Sequence, residues 1–466
     1  MKKELLLGMI NLRQKNIQGK GTPHMISVKE TSLQFNKKIK IDFSGGALSS
    51  DSGLLLYREF DAKTGFSRLI ENMLKIKDPV THTRHTNAKA VIQKVYQHLA
   101  GYHTDDEADE LGKEPVFTTI LGKKRLASQP TLSRLNQRVD NGTVQSLEAI
   151  NQAYLDRLFA LRFRTQMVLD VDSSNFETFG DQEGSAYNAH YQDMGFHPLF
   201  LFDALTGYCL KAALRPGNVY TSRDVVSFIR PALEHLRALS PGLDLALRGD
   251  SGFTVPELYT LCEGMDVFYA IRLKANPRLA KKAQELVDAR QKKQVLPVGP
   301  SAVFYSEFSY RAASWDHARR VVVKLERPEG ELLFQPTFIV TNMSLPAKAV
   351  IKFYQNRGTM ENLIKEGKEG FAFDRLSSTR FEANAAKLQI RVLANNLQAG
   401  FRLLCLPKSW RKKGLRMDTV RLRLIKIAGK LVRSGRYLIF RLCSHCLYQK
   451  AFWQTLSQIN RLPTPE

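Results

Sequence analysis

Tyr354, Arg357, Glu361 and Lys368 stand at offsets of three, seven and fourteen in the stretch YQNRGTMENLIKEGK. A helix turns about 100° per residue, so a single helix through the stretch would hold all four side chains within an arc of roughly 60°. A phenol, a guanidinium, a carboxylate and an ammonium on one face are suited to meeting a phosphate. Taken alone, the stretch also reads as an ordinary solvated helix face with an i,i+4 pair between Glu361 and Lys365. Gly358 and Gly367 weaken the helix, each by about 1 kcal/mol relative to alanine. Further acidic positions give the stretch its interest. QMVLDVDSS (166–174) has the length and branching of a buried strand, with Asp170 and Asp172 two apart and so on one side of it. Burying both carboxylates is costly unless something such as a cation compensates. LDLALRGD (243–250) is another buried strand, and it ends on Asp250. Acids on a core sheet with Glu361 on a later helix suit two-metal phosphoryl transfer, in which divalent ions about 3.5–4 Å apart clamp the attacking and leaving oxygens. Hard ions such as Mg²⁺ take carboxylate and phosphate oxygens.

The elements that must position these groups follow from the chain in order. Residues 1–40 are polar and basic and read as a loosely ordered lead-in, with an ordinary N-terminus rather than a signal peptide. Asp51 is expected to cap a helix beginning near Leu54. Residues 87–101, 128–139 and 143–162 have helical spacing, with Pro130 near a helix start and Gly101 at a helix end. His82, His85 and His103 lack a ligand spacing and read as surface histidines. From residue 166 the pattern becomes strand, strand, strand, helix, strand, helix, strand: 166–174, a hairpin of 197–207 and 208–218, a helix over 222–238, 243–250, a helix over 254–264, and 266–274. Open α/β sheets build sites at the carboxyl ends of their strands. This order resembles a ribonuclease-H-like core, in which the first strand and the tip of the fourth supply two carboxylates to one metal site. The chain thus divides into a mostly helical region (1–165), the first part of an α/β core (166–275), a β-rich insertion (276–345), the last part of the core (346–400) and a basic helical appendage (401–466).

Composition narrows the partners. There are 69 Lys and Arg against 45 Asp and Glu, a net charge of +24, which points to a polyanion, nucleic acid first. No run of 18 apolar residues occurs, so no membrane partner is expected. Five scattered cysteines fit a reducing cytosol; Cys443 and Cys446, two residues between them, read as a partly buried helical pair rather than half a zinc site. No G-x-x-x-x-G-K-[ST] run occurs, so no nucleotide cofactor is implied.

The stretch 354–368 fits Y-(2)-R-(3)-E-(6)-K without a gap. It resembles the signature around the final glutamate of the cut-and-paste DDE transposases of bacterial insertion sequences. LDVDSS and RGDSGF resemble the strands that carry the first and second aspartates. Together with SSDSGLLLYREF, LASQPTLSRL, GFHPLFLFDALTG and LRPGN, they make the chain similar to the insertion-sequence family numbered 1380 over roughly residues 43–400. The resemblance implies that Asp172, Asp250 and Glu361 are the catalytic and metal-binding triad for two Mg²⁺ (or Mn²⁺) ions. Asp172 is favoured over Asp170 because Asp172-Ser173-Ser174 is similar to the D-x-S/T of this fold, with Asp170 a reserve metal contact. It implies that Tyr354, Arg357, Lys365 and Lys368 contact DNA phosphates and that Trp315, in the insertion, stacks on an extruded base. It implies hydrolysis at the element's inverted-repeat ends, attack by the freed 3′-hydroxyl on DNA, a homodimer in the end complex, and a bacterial cytoplasmic, nucleoid-associated location. Two other readings are an endonuclease or resolvase that cuts without joining, and a basic DNA-binding protein that no longer catalyses.

Overall fold

The computed structural model describes residues 33–76, 78, 83–293 and 301–463. Most of the expected lead-in, and His82, lie outside them. Residues 33–48 belong to a small unit of their own, a series of turns in which Asn36 and Asp42 side chains accept nearby backbone N–H groups. Residues 49–466 form the second unit.

That unit begins with helices α1 (Leu54–Thr64), α2 (Phe66–Met73), α3 (Asn87–Ala100), α4 (Gln129–Arg138) and α5 (Asn141–Leu161). Their ends are set by local chemistry. The Thr86 hydroxyl accepts from Lys89 N at the start of α3, Gly101 closes it at φ +97°, and Asp140 with Thr143 forms a capping box on α5. Asp51 does not cap α1. It is fully buried and instead meets Lys426 at 2.6 Å and the Tyr102 hydroxyl at 2.9 Å.

The sheet follows, with β1 (Gln166–Ser173), β2 (Leu199–Asp203), β3 (Tyr208–Ala213), α6 (Val225–Leu239), β4 (Asp244–Gly249), α7 (Pro256–Gly264) and β5 (Phe268–Leu273). Next come α8 (Pro277–Lys292), β6 (Ala302–Tyr310), β7 (Arg319–Arg327) and β8 (Gln335–Thr341). All eight strands make one mixed sheet in the order β6-β7-β8-β5-β4-β1-β2-β3. β1, β4 and β5 run parallel, while β2, β3 and β6–β8 join antiparallel. The residues expected as an appended β-rich insertion therefore extend the core sheet, because β8 pairs with the free edge of β5. A small three-stranded sheet of Phe176–Glu177, Ala186–Asn188 and Asp193–Phe196 lies between β1 and β2 in the chain.

Strand alternation sorts the two faces. Leu169, Val171, Leu245 and Leu247 pack with α6 and α7 in one core, which also holds Trp315. Trp315 is only 4% exposed and makes edge contacts with Tyr259 and Tyr310, both at 5.5 Å between ring centroids. It is a packing residue here, not a free base-stacking one: the strand extension buries it against α7. Trp315→Phe is expected to cost roughly 1–2 kcal/mol of stability, at the mild end of large-to-small core changes. Thermal unfolding checks this; an unchanged melting temperature would show that the indole does not hold this core together.

The chain ends with α9 (Ala347–Gln355), α10 (Gly358–Phe371), α11 (Phe381–Leu404), a hairpin of β9 (Gly429–Ser434) and β10 (Tyr437–Leu442), and α12 (Gln449–Asn460). α11 is buried along most of its length and joins the helical layer to the sheet: Asn396 bonds the Asn151 side chain and both backbone groups of Cys209 on β3. The expected helical appendage thus contains a hairpin, turning at Gly435 with φ +55°. It is tied to the rest by Arg421, which donates to Leu99 O and Gly370 O. Cys443 and Cys446 lie in the turn after β10 rather than on a helix. Among the described residues no helix is long and apolar enough to cross a membrane.

Candidate active site

The register of β1 with β4 places the first two acids. Asp170 lies opposite Arg248 in the parallel pair, so continuing both strands by two residues brings Asp172 beside Asp250 at their carboxyl ends. Asp250 then starts a short helical turn, and its Oδ1 accepts Gly252 N at 2.8 Å, which fixes the carboxylate at the strand tip. Asp172 Oδ1 accepts Ser173 N at 2.9 Å.

The third acid arrives from the helices, by a route other than one continuous helix. α9 stops at Gln355, and Asn356 has ψ −4°, far from the helical value, so the i→i−4 ladder breaks. The chain passes the break through i→i−3 bonds, Arg357 N to Tyr354 O and Met360 N to Arg357 O, both 2.8 Å. α10 then begins at Gly358, with Glu361 exposed in its first turn, where the helix dipole favours a carboxylate. Tyr354 and Arg357 therefore precede the helix that carries Glu361 and Lys368, and the four side chains do not share one helix face. Gly367 is required inside α10 by close packing, since a Cβ there would lie 2.5 Å from the Phe373 ring.

Burial pushes the Asp172 carboxyl up to about 6; the Arg357 guanidinium opposes this, and the neighbouring charges of Asp250 and Glu361 add to it. Asp172 thus feels the charges of both other acids. Arg357 Nη2 lies 2.7 Å from Asp172 Oδ2, with the two side chains only 10% and 15% exposed. Tyr354 is half-buried beside the same group, its phenol pushed up by burial, with Arg357 and Arg272 opposing the effects of Asp250 and Asp172.

The other expected contacts separate. Lys368 Nζ donates to Asn175 O at 2.8 Å and sits 5.3 Å above the Phe176 ring, tying α10 to the segment after β1. Lys365 is exposed, 3.8 Å from Glu369. Asp170 is not open to a metal: it is fully buried and takes Arg248 Nε at 2.6 Å and Nη2 at 2.8 Å in a two-point ion pair. Arg248 also donates to Phe353 O at 2.8 Å, so it joins β1, β4 and α9. Arg248 had a sequence signal, a charge inside an apolar strand two residues before Asp250. Tyr191 had none. It comes from the loop within the small sheet, and burial together with the charges of Asp172 and Asp250 pushes its phenol up.

For a divalent ion, the donors are right in kind: hard oxygens, crowded enough that a positive charge would relieve them. In this arrangement the nearest such charge is the Arg357 guanidinium. Among the described residues no three His, Cys, Asp or Glu side chains converge closely enough to hold a metal as they stand. His103 is not a surface histidine; its ring stacks on that of buried His98, with the two Nδ1 atoms 3.2 Å apart.

A family model described as transposase DDE domain group 1 matches residues 31–464. Among solved structures, the chain is similar to a piggyBac transposase in a synaptic complex with hairpin DNA, determined by cryo-electron microscopy. The identity is 13% and the TM-score 0.43, over 81% of this chain and 80% of that one. No curated protein matches the chain.

Proposed function

The chain belongs to the family of DDE transposase domains, group 1, and on that premise we propose that it is a cut-and-paste enzyme. It hydrolyses DNA at the ends of its own element and joins the freed 3′-hydroxyls to other DNA by metal-dependent phosphoryl transfer. The observation that carries this reading is the placement of Asp172 and Asp250 at adjacent carboxyl ends of parallel strands, with Glu361 near enough to raise the Asp172 carboxyl. The order β3-β2-β1-β4-β5, with β2 and β3 antiparallel, supports a ribonuclease-H-like core. The net charge of +24 supports DNA as partner.

Asp172, Asp250 and Glu361 are the residues that would hold two Mg²⁺ ions, with Mn²⁺ as a substitute. Bound there, the metal would stabilise charge on the transferring phosphoryl group and activate the attacking oxygen. The chain's own residues do the rest. Arg357 holds Asp172 until its guanidinium is turned toward a phosphate, a forked contact to which arginine is suited. Tyr354 orients an oxygen beside the acids, and Lys365 offers charge from the exposed face of α10. Lys368 holds the segment after β1 in place through Asn175 O and the Phe176 ring. Membership in the bacterial insertion-sequence family numbered 1380, a homodimer bridging two ends, and a cytoplasmic, nucleoid-associated location belong to the same proposal.

The test is strand joining. Precut ends, made from whatever short inverted repeats flank the gene, are incubated with the protein, Mg²⁺ and a supercoiled plasmid. Insertion products are expected. Cutting of intact ends without any joining would make the protein a nuclease, and neither reaction with Mg²⁺ or Mn²⁺ would overturn the catalytic reading.

A further inference from the structure

The strand and the helix that carry the acids both lead into one cleft. Beyond Ser173 the chain passes Glu177 and Phe179, and beyond Phe371 it passes the segment 374–380; both line a cavity of about 820 Å³ whose other walls are α3, α4 and α11. Glu177 is five residues from Asp172, so their Cα atoms are at most about 18 Å apart.

The floor of this cleft is cationic and incompletely satisfied. Arg391, on α11, is 4% exposed, and neither its Nε nor its Nη1 has a hydrogen-bond partner among the described residues. A buried guanidinium left this way costs stability that a packed apolar residue would not. Lys387, one turn earlier on the same helix, has its ammonium pushed down to about 8 by burial, then by the charge of Lys94. Burial likewise pushes Arg391 down to about 10 and His103 down to about 3. The acids nearby are partly committed: Asp105 pairs with Lys94 at 2.5 Å and accepts from Asn136. Asp374, Asp106 and Glu177 also line the cleft. An anion reaching the floor would relieve the crowded cations Arg391 and Lys387. On the wall, Phe179 is 77% exposed, an aromatic face with nothing packed over most of it.

We propose that this cleft seats a backbone phosphate of the DNA strand that runs on from the cleavage point, held by Arg391 and Lys387, with the adjoining base stacked on Phe179. This rests on the transposase reading, since it gives the strand on the acids a place to continue. Phe179 then takes the stacking role that buried Trp315 cannot fill.

The test uses the full chain and fluorescence anisotropy of end DNA, blunt or with a single-stranded extension, over a KCl titration. Arg391→Gln is expected to weaken binding about tenfold and to lower the salt slope by about one, as for a single phosphate contact. It is also expected to raise the melting temperature, which removal of a purely structural arginine would not do. Lys387→Gln is expected to weaken binding about threefold to tenfold. Phe179→Ala, a surface change that leaves the fold intact, is expected to weaken the extended DNA about tenfold and the blunt DNA hardly at all. If wild type binds and cleaves ends while all three variants match its affinity and salt slope, the cleft assignment is overturned and the transposase reading stands. Should Arg391→Gln fail to fold, Lys387→Gln and Phe179→Ala decide by the same criterion. If wild type neither binds nor cleaves ends, both readings fall together.

Discussion

Glu361→Gln, Asp172→Asn and Asp250→Asn are each expected to lower metal-dependent cleavage of end DNA about 10³-fold or more. The magnitude follows from what is lost. A divalent ion at a transferring phosphoryl group stabilises developing charge by several kcal/mol, and each 1.36 kcal/mol is about tenfold in rate. DNA binding is expected to stay within about twofold of wild type or to tighten, because each change removes a negative charge from a face meant for phosphates. Glu361→Gln is the cleanest of the three. Glu361 is exposed and makes no ion pair among the described residues, so the amide changes the ligand and little else. Asp250→Asn keeps an oxygen for Gly252 N. Asp172→Asn combines opposed effects. The carboxyl raised to about 6 is ionised at neutral pH against the preference of its site, so its contribution to stability is full below the unfolded value near 3.8 and is lost as pH rises through 6. An amide removes that burden but leaves Arg357 without its counter-charge. Stability therefore does not discriminate for Asp172, and the cleavage rate does. A Glu361→Gln protein that cleaves end DNA at the wild-type rate would show that the assigned acids are not the site.

What could be read beforehand has a common physical origin. β1, β4 and β5 were legible because a strand buried on both faces is a short apolar run, and an acid within or just beyond such a run stands out. The hairpin of β2 and β3 was legible from Thr206-Gly207 between two apolar runs. Two kinds of feature were not. The first is the break between α9 and α10, which depends on the backbone at Asn356 and Arg357; both residues keep near-helical φ, so periodicity continues across the interruption. The second is the tertiary partner of a charged or aromatic side chain. Asp51 follows a Gly/Ser turn and precedes a helix, yet it is claimed by Lys426 and Tyr102 from distant segments. Trp315 lies beside the polar residues Ser314 and Asp316, yet the strands it connects continue the core sheet and bury it. In 429–442 the basic residues hid the strands: in the hairpin they occupy exposed positions while Leu431, Val432, Phe440 and Leu442 are half-buried. The chemical types of the site residues were legible, whereas Arg248 as the partner of Asp170 required the register of β1 with β4.

That partnership sets the second large expectation. Arg248→Met is expected to destabilise the protein by about 3–5 kcal/mol, the usual cost of stripping one member from a buried ion pair. Asp170 would remain fully buried with a carboxyl that burial already pushes upward, and only the more weakly acting Arg357 guanidinium would be left to oppose it. Phe353 O would lose its donor as well, at the end of α9 that delivers Tyr354 and Arg357 to the acids. Asp170→Leu alone is expected to cost a similar amount, by leaving Arg248 charged and unpaired. The double change Asp170→Leu with Arg248→Met should recover most of either loss, since well-packed apolar groups often replace a buried pair at little cost. Urea unfolding of the four proteins measures the coupling, expected at about 2 kcal/mol or more for groups in direct two-point contact. Cleavage adds the deciding contrast. If Asp170 acts through the pair, the double variant retains measurable cleavage, because Asp172, Asp250 and Glu361 are untouched and α9 is still packed on the sheet through Val350 and Ile351. If Asp170 were itself a metal ligand, the double variant would be as inactive as Glu361→Gln however stable it became. Strictly additive losses, or a cost below about 1 kcal/mol for Arg248→Met, would show that the pair does not hold β1, β4 and α9 together.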